Sequence, residues 1–295
     1  MPLIVQLLLF CLGLAFGSFL NVITLRYSPD RGFYHKEHFT GRSHCPHCHK
    51  ILSWYELIPL ASYMIQLGRC RVCQKRLTVQ YPIVELTSGL MFLYIPLVIK
   101  NLFTFTGPNY AWYWGAASFI WIVAFLFLLA AFIIDIRHYV IPNSVNITLF
   151  AVSIIWIGIG IYMGAFSDVY KASFLKQFSA VFPSFSSIVL NHIFGAVVAL
   201  LFFLALFIFS RGRAMGMGDV KLMGALGLLF GWPDIVPIML LSFIIGAVVS
   251  VVLIASGKKK MTDKVPFGPF IVIATAIIFF FGAGLLSAYF GIIGL

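Results

Sequence analysis

Long apolar runs recur along most of the chain, separated by short polar segments. Each run approaches the roughly 20 residues that a helix needs to cross a bilayer, and none shows the alternation of a membrane barrel strand. The pattern predicts an all-α polytopic membrane protein with about eight transmembrane helices. They are expected at residues 2–24, 82–99, 112–134, 144–164, 188–210, 219–232, 235–256 and 268–292.

Composition supports this reading, because 61% of the residues are hydrophobic and only 10% are charged. A soluble globular protein carries about 25% charged residues. The first apolar run lacks a basic leading segment and a small-residue cleavage site, so we interpret it as a retained helix rather than a secretory signal. Its N-terminus is expected outside.

The basic residues are concentrated in a few of the segments between the apolar runs. All but three of the 20 lysines and arginines lie in segments 26–80, 135–143, 211–221 and 257–265; the exceptions are Lys100, Lys171 and Lys176. The positive-inside rule places these four segments in the cytoplasm. The net charge of +11 is therefore explained by topology, and we expect the lipid bilayer, not nucleic acid, as its partner.

The sixth span is short. Its apolar part, VKLMGALGLLFGW, has 13 residues, about 20 Å as a helix, against a hydrocarbon core of about 30 Å. A re-entrant segment is the alternative, but it would place Lys258, Lys259 and Lys260 outside. The charge pattern favours a full crossing.

Segment 26–80 is the one sizeable soluble stretch, and it predicts a small zinc-binding cytoplasmic insert. Two CxxC pairs lie within it, a spacing that suits a closed tetrahedral zinc site. The expected ligands are Cys45, Cys48, Cys70 and Cys73. Two disulfides or a redox couple are alternatives that a cytosolic location opposes. A histidine could also replace one cysteine, from among His44, His47 and His49.

Asp135 and Asp219 each stand at the end of an apolar run. A carboxylate at membrane depth is costly unless it is paired, solvated or functional. The structural alternatives are a headgroup-level carboxylate paired with Arg137 or His138, and a helix N-cap at Asp219.

The surroundings favour a catalytic pair. Gly216 and Gly218 predict a narrow substrate cleft beside Asp219, and Pro142-Asn143 starts the helix that follows Asp135. In an aspartic protease, one carboxylate takes a proton from water while the other, protonated, polarises the scissile carbonyl. The sequence does not assign acid and base. It contains neither a competing Ser/His/Asp arrangement nor an HExxH motif.

Several motifs together resemble the type IV prepilin peptidase family of GxGD membrane aspartic proteases. The resemblance covers nearly the whole chain. It rests on FGSFLNV at 16–22, ELIPLASY at 56–63, GRCRVC at 68–73, YPIVEL at 81–86, the D-x-R-x-x-x-I-P pattern from Asp135 to Pro142, GMGDVK at 216–221 and PFGP at 266–269. The segment ITLRYSPDRG is longer and more polar than is usual there.

The resemblance implies two activities at the cytoplasmic face of the inner membrane. One cleaves the leader of prepilins or pseudopilins after a glycine, using Asp135 and Asp219. The other N-methylates the new terminus with S-adenosylmethionine and is associated with the amino-terminal region. We therefore expect a first helix at 1–25, the zinc-binding insert at 26–80 and a peptidase core at 82–292.

Cofactor-binding residues are not predicted, because no Gly-rich loop of the dinucleotide-binding type follows a strand. Glu56 and Glu85 are candidates to contact a cationic cofactor or amine, or else they pair with basic residues of the loop. Rival functions are a transporter with aspartate proton relays and a metal-sensing loop, and a non-enzymatic assembly factor. Native substrates and oligomeric state are left open.

Overall fold

A computed structural model describes residues 1–102, 110–163, 173–175, 185, 187–213 and 215–293. Within these residues the regular structure is helical, apart from two isolated β-bridges. Residue 164, Lys171 and Lys176, which entered the sequence predictions, lie outside the described residues.

Ten α-helices occur in the described residues, and seven of them are long and apolar enough to cross a membrane. The prediction of an all-α multi-pass membrane protein is confirmed. In chain order the ten are α1 Leu3–Arg26, α2 Lys36–Phe39, α3 Ala61–Ile65, α4 Gln80–Leu102, α5 Tyr110–His138, α6 Asn143–Met163, α7 Ile188–Phe209, α8 Met217–Phe230, α9 Ile235–Ala255 and α10 Gly268–Ile293.

Helix α5 runs four residues past its predicted end at 134. Asp135 therefore lies inside the last helical turn, and its carbonyl accepts the N–H of Tyr139 at 2.9 Å. Tyr139 has a φ of 56°, a left-handed conformation that ends the helix. As predicted, α6 begins directly after Pro142, whose carbonyl accepts the N–H of Val145 at 3.1 Å.

Helix α8 is the sixth predicted span, and it is too short to count among the seven long helices. Its 14 residues extend about 21 Å. Nearly all of them from Asp219 to Phe230 are buried within the protein. Neighbouring helices rather than lipid surround α8, so its length need not match the bilayer. A full crossing stays a prediction.

The chain forms two compact units, Met1–Leu97 and Val98–Leu295. In the first, α1 packs closely on the start of α4, because Gly17 brings the two backbones together: a Cβ there would lie 2.8 Å from the Glu85 Cα. Asn21 donates to the Tyr81 carbonyl at 3.1 Å and so fixes the register of the two helices. The three-region division of the sequence stays a prediction.

In the second unit α8 packs against α7 through glycines. A Cβ on Gly227 would lie 2.5 Å from the Gly195 carbonyl oxygen, so the two backbones touch directly. On the side facing α6, Ser153 donates to the Ala225 carbonyl at 3.3 Å. These contacts fix the depth and rotation of α8.

An aromatic cluster closes the end of the second unit where α8 finishes. Trp121 is fully buried, and four other rings lie about it: Trp156, Phe174, Phe230 and Phe279, with centroids 4.9 to 5.7 Å away. Edge-to-face geometry, which three of these pairs adopt, is the favourable one for aromatic rings. The cluster joins α5, α6, α8 and α10.

A substitution at Gly227 tests the close packing of α7 on α8. We expect Gly227→Ala to destabilise the protein by about 1–3 kcal/mol, the usual cost of overpacking, because the added carbon would meet backbone. Thermal unfolding of the detergent-solubilised protein measures this. Gly158→Ala is the control, since a Cβ on Gly158 meets nothing within 4 Å; equal melting temperatures for the two variants would contradict the packing.

Candidate active site and metal centre

Asp135 and Asp219 line one cavity of about 890 Å³ in the second unit. Asp135 comes from the last turn of α5 and Asp219 from the first turn of α8. The carboxylates are close enough to repel each other electrostatically. The structure thus places in one cavity the two residues that the sequence predicted as a pair.

Asp135 is held by the start of α10. Its Oδ2 accepts the backbone N–H of Gly268 at 3.0 Å, and its side chain is buried. A Cβ on Gly268 would lie 2.6 Å from the same oxygen, so a larger residue would displace the carboxylate. Sequence reasoning assigned Gly268 no role, although it lies in the PFGP motif.

Asp219 is held by the start of its own helix. Gly216, not Asp219, is the N-cap residue of α8. Asp219 is the third helical residue, and its Oδ2 accepts the Gly216 N–H at 3.0 Å. This is half of a capping box, which explains why an acidic residue suits the position without excluding a catalytic role.

Each carboxylate therefore has one oxygen fixed by a backbone donor at a helix start. Among the described residues, Arg137 forms no ion pair with either carboxylate. The positive ends of two helix dipoles favour negative charge here. Two neighbouring carboxylates cannot easily ionise together, and the arrangement suits a pair that shares one proton and activates a water molecule.

The two glycines before Asp219 differ in their surroundings. A Cβ on Gly216 would make only ordinary contact, 3.7 Å from the Asp219 carboxylate. At Gly218 it would lie 3.2 Å from the Ile141 Cβ, so close packing of α8 on the α5–α6 connection explains that glycine. Both glycines line the cavity, but only Gly216 has no close packing contact that requires a glycine.

The rest of the cavity wall includes the connection between α9 and α10, which sequence reasoning did not connect with the aspartates. Lys259, Lys260 and Lys264 line it, together with Arg213 and Lys221. Lys221 donates to the Asn143 side chain at 2.8 Å, which ties α8 to the beginning of α6. The cavity thus combines two buried carboxylates with a rim that carries these five basic residues and the exposed Asp263.

The four predicted cysteine ligands converge in the first unit. Their sulfurs all lie within 4.8 Å of one another, and the Cys45–Cys73 and Cys48–Cys70 separations are both 3.9 Å. A tetrahedral zinc site with bonds of about 2.3 Å has sulfur–sulfur edges of about 3.8 Å. The group can hold a metal ion, and its geometry fits zinc.

The disulfide and histidine alternatives for this module find no support. All four cysteines are free thiols, not disulfides. The group contains no histidine: His47 is directed to the Arg76 carbonyl and His44 to the Arg42 carbonyl.

The two CxxC pairs are structural repeats, a relationship that the sequence analysis missed. Each residue of the second stands 25 positions after its counterpart in C-x-x-C-x-K-x-L. In both, the first cysteine N–H donates to the lysine carbonyl, at 2.9 and 3.0 Å. The residue after the second cysteine, His49 or Gln74, has a positive φ in both.

The local backbone favours a thiolate at Cys70. The N–H groups of Cys73 and Val72 donate to its sulfur and lower the pKa to about 6. At Cys73 the N–H of Lys75 lowers the pKa, but burial and hydrogen bonds with the other three cysteines outweigh it and raise the pKa to about 11. Four thiols so close cannot all ionise unless a cation joins them.

Glu56 and Glu85, the two acidic candidates, line a second cavity of about 300 Å³ that lies within the first unit beside Cys45 and Cys70. Glu56 accepts the Ser53 N–H at 2.9 Å and lies 3.5 Å from the Lys50 ammonium. The Ser53 bond, with help from Lys50, lowers the pKa of Glu56. Glu56 thus pairs with Lys50, as expected from the alternative that it pairs with a basic residue of the loop.

Comparison with known proteins supports the family resemblance. Residues 11–99 match the bacterial peptidase A24 N-terminal domain, and residues 122–251 match the type IV leader peptidase family. A prepilin leader peptidase/N-methyltransferase of Xanthomonas campestris pv. campestris is 30% identical over 96% of this chain and 94% of its own. One from Vibrio cholerae serotype O1 is 30% identical over 94% and 97%. No solved structure matches.

The fold, the paired carboxylates and these matches define an integral membrane peptidase. More particularly, the chain belongs to the type IV leader peptidase family, whose relatives are named as both peptidases and N-methyltransferases. The predicted membership and the prediction of an enzyme are confirmed. The transporter and the non-enzymatic assembly factor are set aside on the same ground.

Cysteine substitution tests the metal centre. We expect the purified protein to carry about one zinc ion per chain, and Cys45→Ser or Cys70→Ser to lose it, because three thiolates no longer close the shell. Elemental analysis by mass spectrometry measures the stoichiometry. Cys11→Ser, in α1 and outside the cluster, should retain the metal; a wild-type protein without zinc would refute the assignment.

Proposed function

We propose that this chain is an aspartic endopeptidase that removes the leader from type IV prepilins and related pseudopilins, cutting after a glycine at the cytoplasmic face of the inner membrane. The observation that carries the proposal is the cavity shared by Asp135 and Asp219, each with one carboxylate oxygen held by a backbone N–H. The printed names of the relatives support the substrate class.

The chemistry follows from a pair that shares one proton. The ionised carboxylate takes a proton from water, whose oxygen attacks the scissile carbonyl carbon while the protonated carboxylate donates to the carbonyl oxygen. Collapse of the tetrahedral adduct breaks the C–N bond, and the proton goes to the departing amine. Both groups exchange roles within a turnover, so the pair titrates as a unit.

The cavity walls favour a substrate with a glycine immediately before the scissile bond. Gly216 leaves room for an extended backbone beside Asp219, and a glycine before the cut would need no side-chain pocket there. An apolar segment after the cut can stay in the bilayer. The cytoplasmic location rests on the positive-inside pattern, because all but three of the 20 lysines and arginines fall in four segments, two of which include Asp135 and Asp219.

The second proposed activity is N-methylation of the newly exposed amino terminus. S-adenosylmethionine, when bound, supplies an electrophilic methyl group. We place this activity in the first unit, where the four cysteines would hold a structural zinc ion and so order the walls of the adjoining cavity. No residue of the cysteine module is assigned to leader cleavage.

Conservative substitution of each aspartate tests the pair. We expect Asp135→Asn and Asp219→Asn each to lower kcat/KM for leader cleavage by at least about 10³-fold, because members of a catalytic unit act together. Mass spectrometry of a prepilin incubated with purified enzyme detects loss of the leader. The exposed Asp30→Asn is the control. Substantial cleavage by either Asn variant would refute the mechanism.

Gly268 offers a test of carboxylate position that leaves both aspartates intact. We expect Gly268→Ala to reduce cleavage by about 10²-fold, because the new carbon would lie 2.6 Å from the Asp135 Oδ2 and displace it. A small displacement of a catalytic group has effects of this size. Gly284→Ala, in the same helix with nothing within 4 Å of its Cβ, should cleave normally. Normal cleavage by both would contradict the geometry.

A further inference from the structure

Glu85 is a buried carboxylate that the proposed cleavage chemistry does not use. Its side chain lies near the start of α4 and is 6% exposed. Its Oε2 accepts the Leu60 N–H at 2.8 Å. No lysine, arginine or histidine of the described residues forms an ion pair with it; the two ion pairs found there are Arg31–Glu37 and Lys50–Glu56.

Glu56, on the same cavity, differs in this respect because Lys50 supplies a counter-charge. Arg26 also lines the cavity, but its guanidinium donates to the carbonyls of Thr40, Gly41 and Arg42. Burying a carboxylate without a cation is costly. Glu85 is thus the acidic group of this cavity that still lacks a positive partner.

The cavity also has the lining that a flat organic ligand needs. Its surface is largely apolar, with Val22, Leu25 and Leu77 contributing, and Tyr63 and Tyr81 add aromatic faces. Its volume lies at the lower end of the range for small-molecule sites, which are mostly apolar with a few placed polar groups. A ligand that suits it has an aromatic base and a positive charge.

We propose that this cavity is the methyl-donor site and that Glu85 is the counter-charge for the cationic part of S-adenosylmethionine. The ligand combines a stacking adenine with a sulfonium and an ammonium, the two features that the lining selects. This inference rests on the proposed methyltransferase activity and gives it a location. Glu85 acts here as a binding residue, with no proton transfer assigned to it.

Direct binding tests the assignment without depending on turnover. Equilibrium binding of radiolabelled S-adenosylmethionine to the purified full-length protein would be compared between wild type and Glu85→Gln. The amide oxygen of glutamine can still accept the Leu60 N–H, so the fold should persist. We expect the Kd to rise at least about 10-fold, as loss of a charge-assisted contact implies.

Two further variants make the result specific. Glu37→Gln removes an exposed carboxylate outside the cavity and should bind as wild type does. Ser62→Trp fills the cavity from α3 and should abolish binding while it retains zinc. Retained zinc and normal leader cleavage serve as evidence of folding for every variant.

The outcomes separate the two proposals. If wild type methylates a cleaved prepilin but Glu85→Gln and Ser62→Trp both bind S-adenosylmethionine normally, the cavity is not the donor site and the methyltransferase function stands. If wild type removes the leader but neither binds S-adenosylmethionine nor methylates, the proposed methyltransferase function falls and this inference falls with it. Weakened binding confined to the two cavity variants supports the site.

Discussion

Backbone N–H groups at a helix start have no acceptor within the helix, and two of the buried carboxylates of the second unit, Asp135 and Asp219, use such groups. Gly268 at the start of α10 donates to Asp135, and Gly216 before α8 donates to Asp219. Each hydrogen bond gives an acceptor to a backbone N–H at a helix start and a donor to a buried carboxylate. The positions of α8 and α10 therefore determine where the two carboxylates lie. The packing of the unit holds the starts of these two helices in place.

Helix α8 shows how that holding is achieved. The contact of Gly227 with α7 and the hydrogen bond from Ser153 of α6 fix the position of α8 along its axis. Burial by protein on most sides allows a 14-residue helix where a lipid-exposed one would need about 20. The start of this short helix places Asp219 in a cavity with a basic rim.

Much of this was predictable from the chain. Apolar runs located the long helices, and the cost of isolated carboxylates drew attention to Asp135 and Asp219 before any family resemblance. The contact between Gly268 and Asp135 was not predictable, since it joins residues 133 apart and depends on how α10 packs. The partners of Glu85 are equally non-local. The repeat that relates Cys45 to Cys70 is visible in the sequence only when the lysine and leucine that follow each CxxC pair are aligned together with the cysteines.

That repeat has a consequence for the segment it encloses. The two CxxC pairs are the ends of a loop, and a shared metal ion would close it at both ends, reducing the conformational entropy available to the residues between. Glu56, Ser62 and Tyr63, which line the 300 Å³ cavity, belong to this enclosed stretch. A metal ion bound there would take no part in the chemistry, yet it would stabilise the shape of the cavity that a small ligand meets.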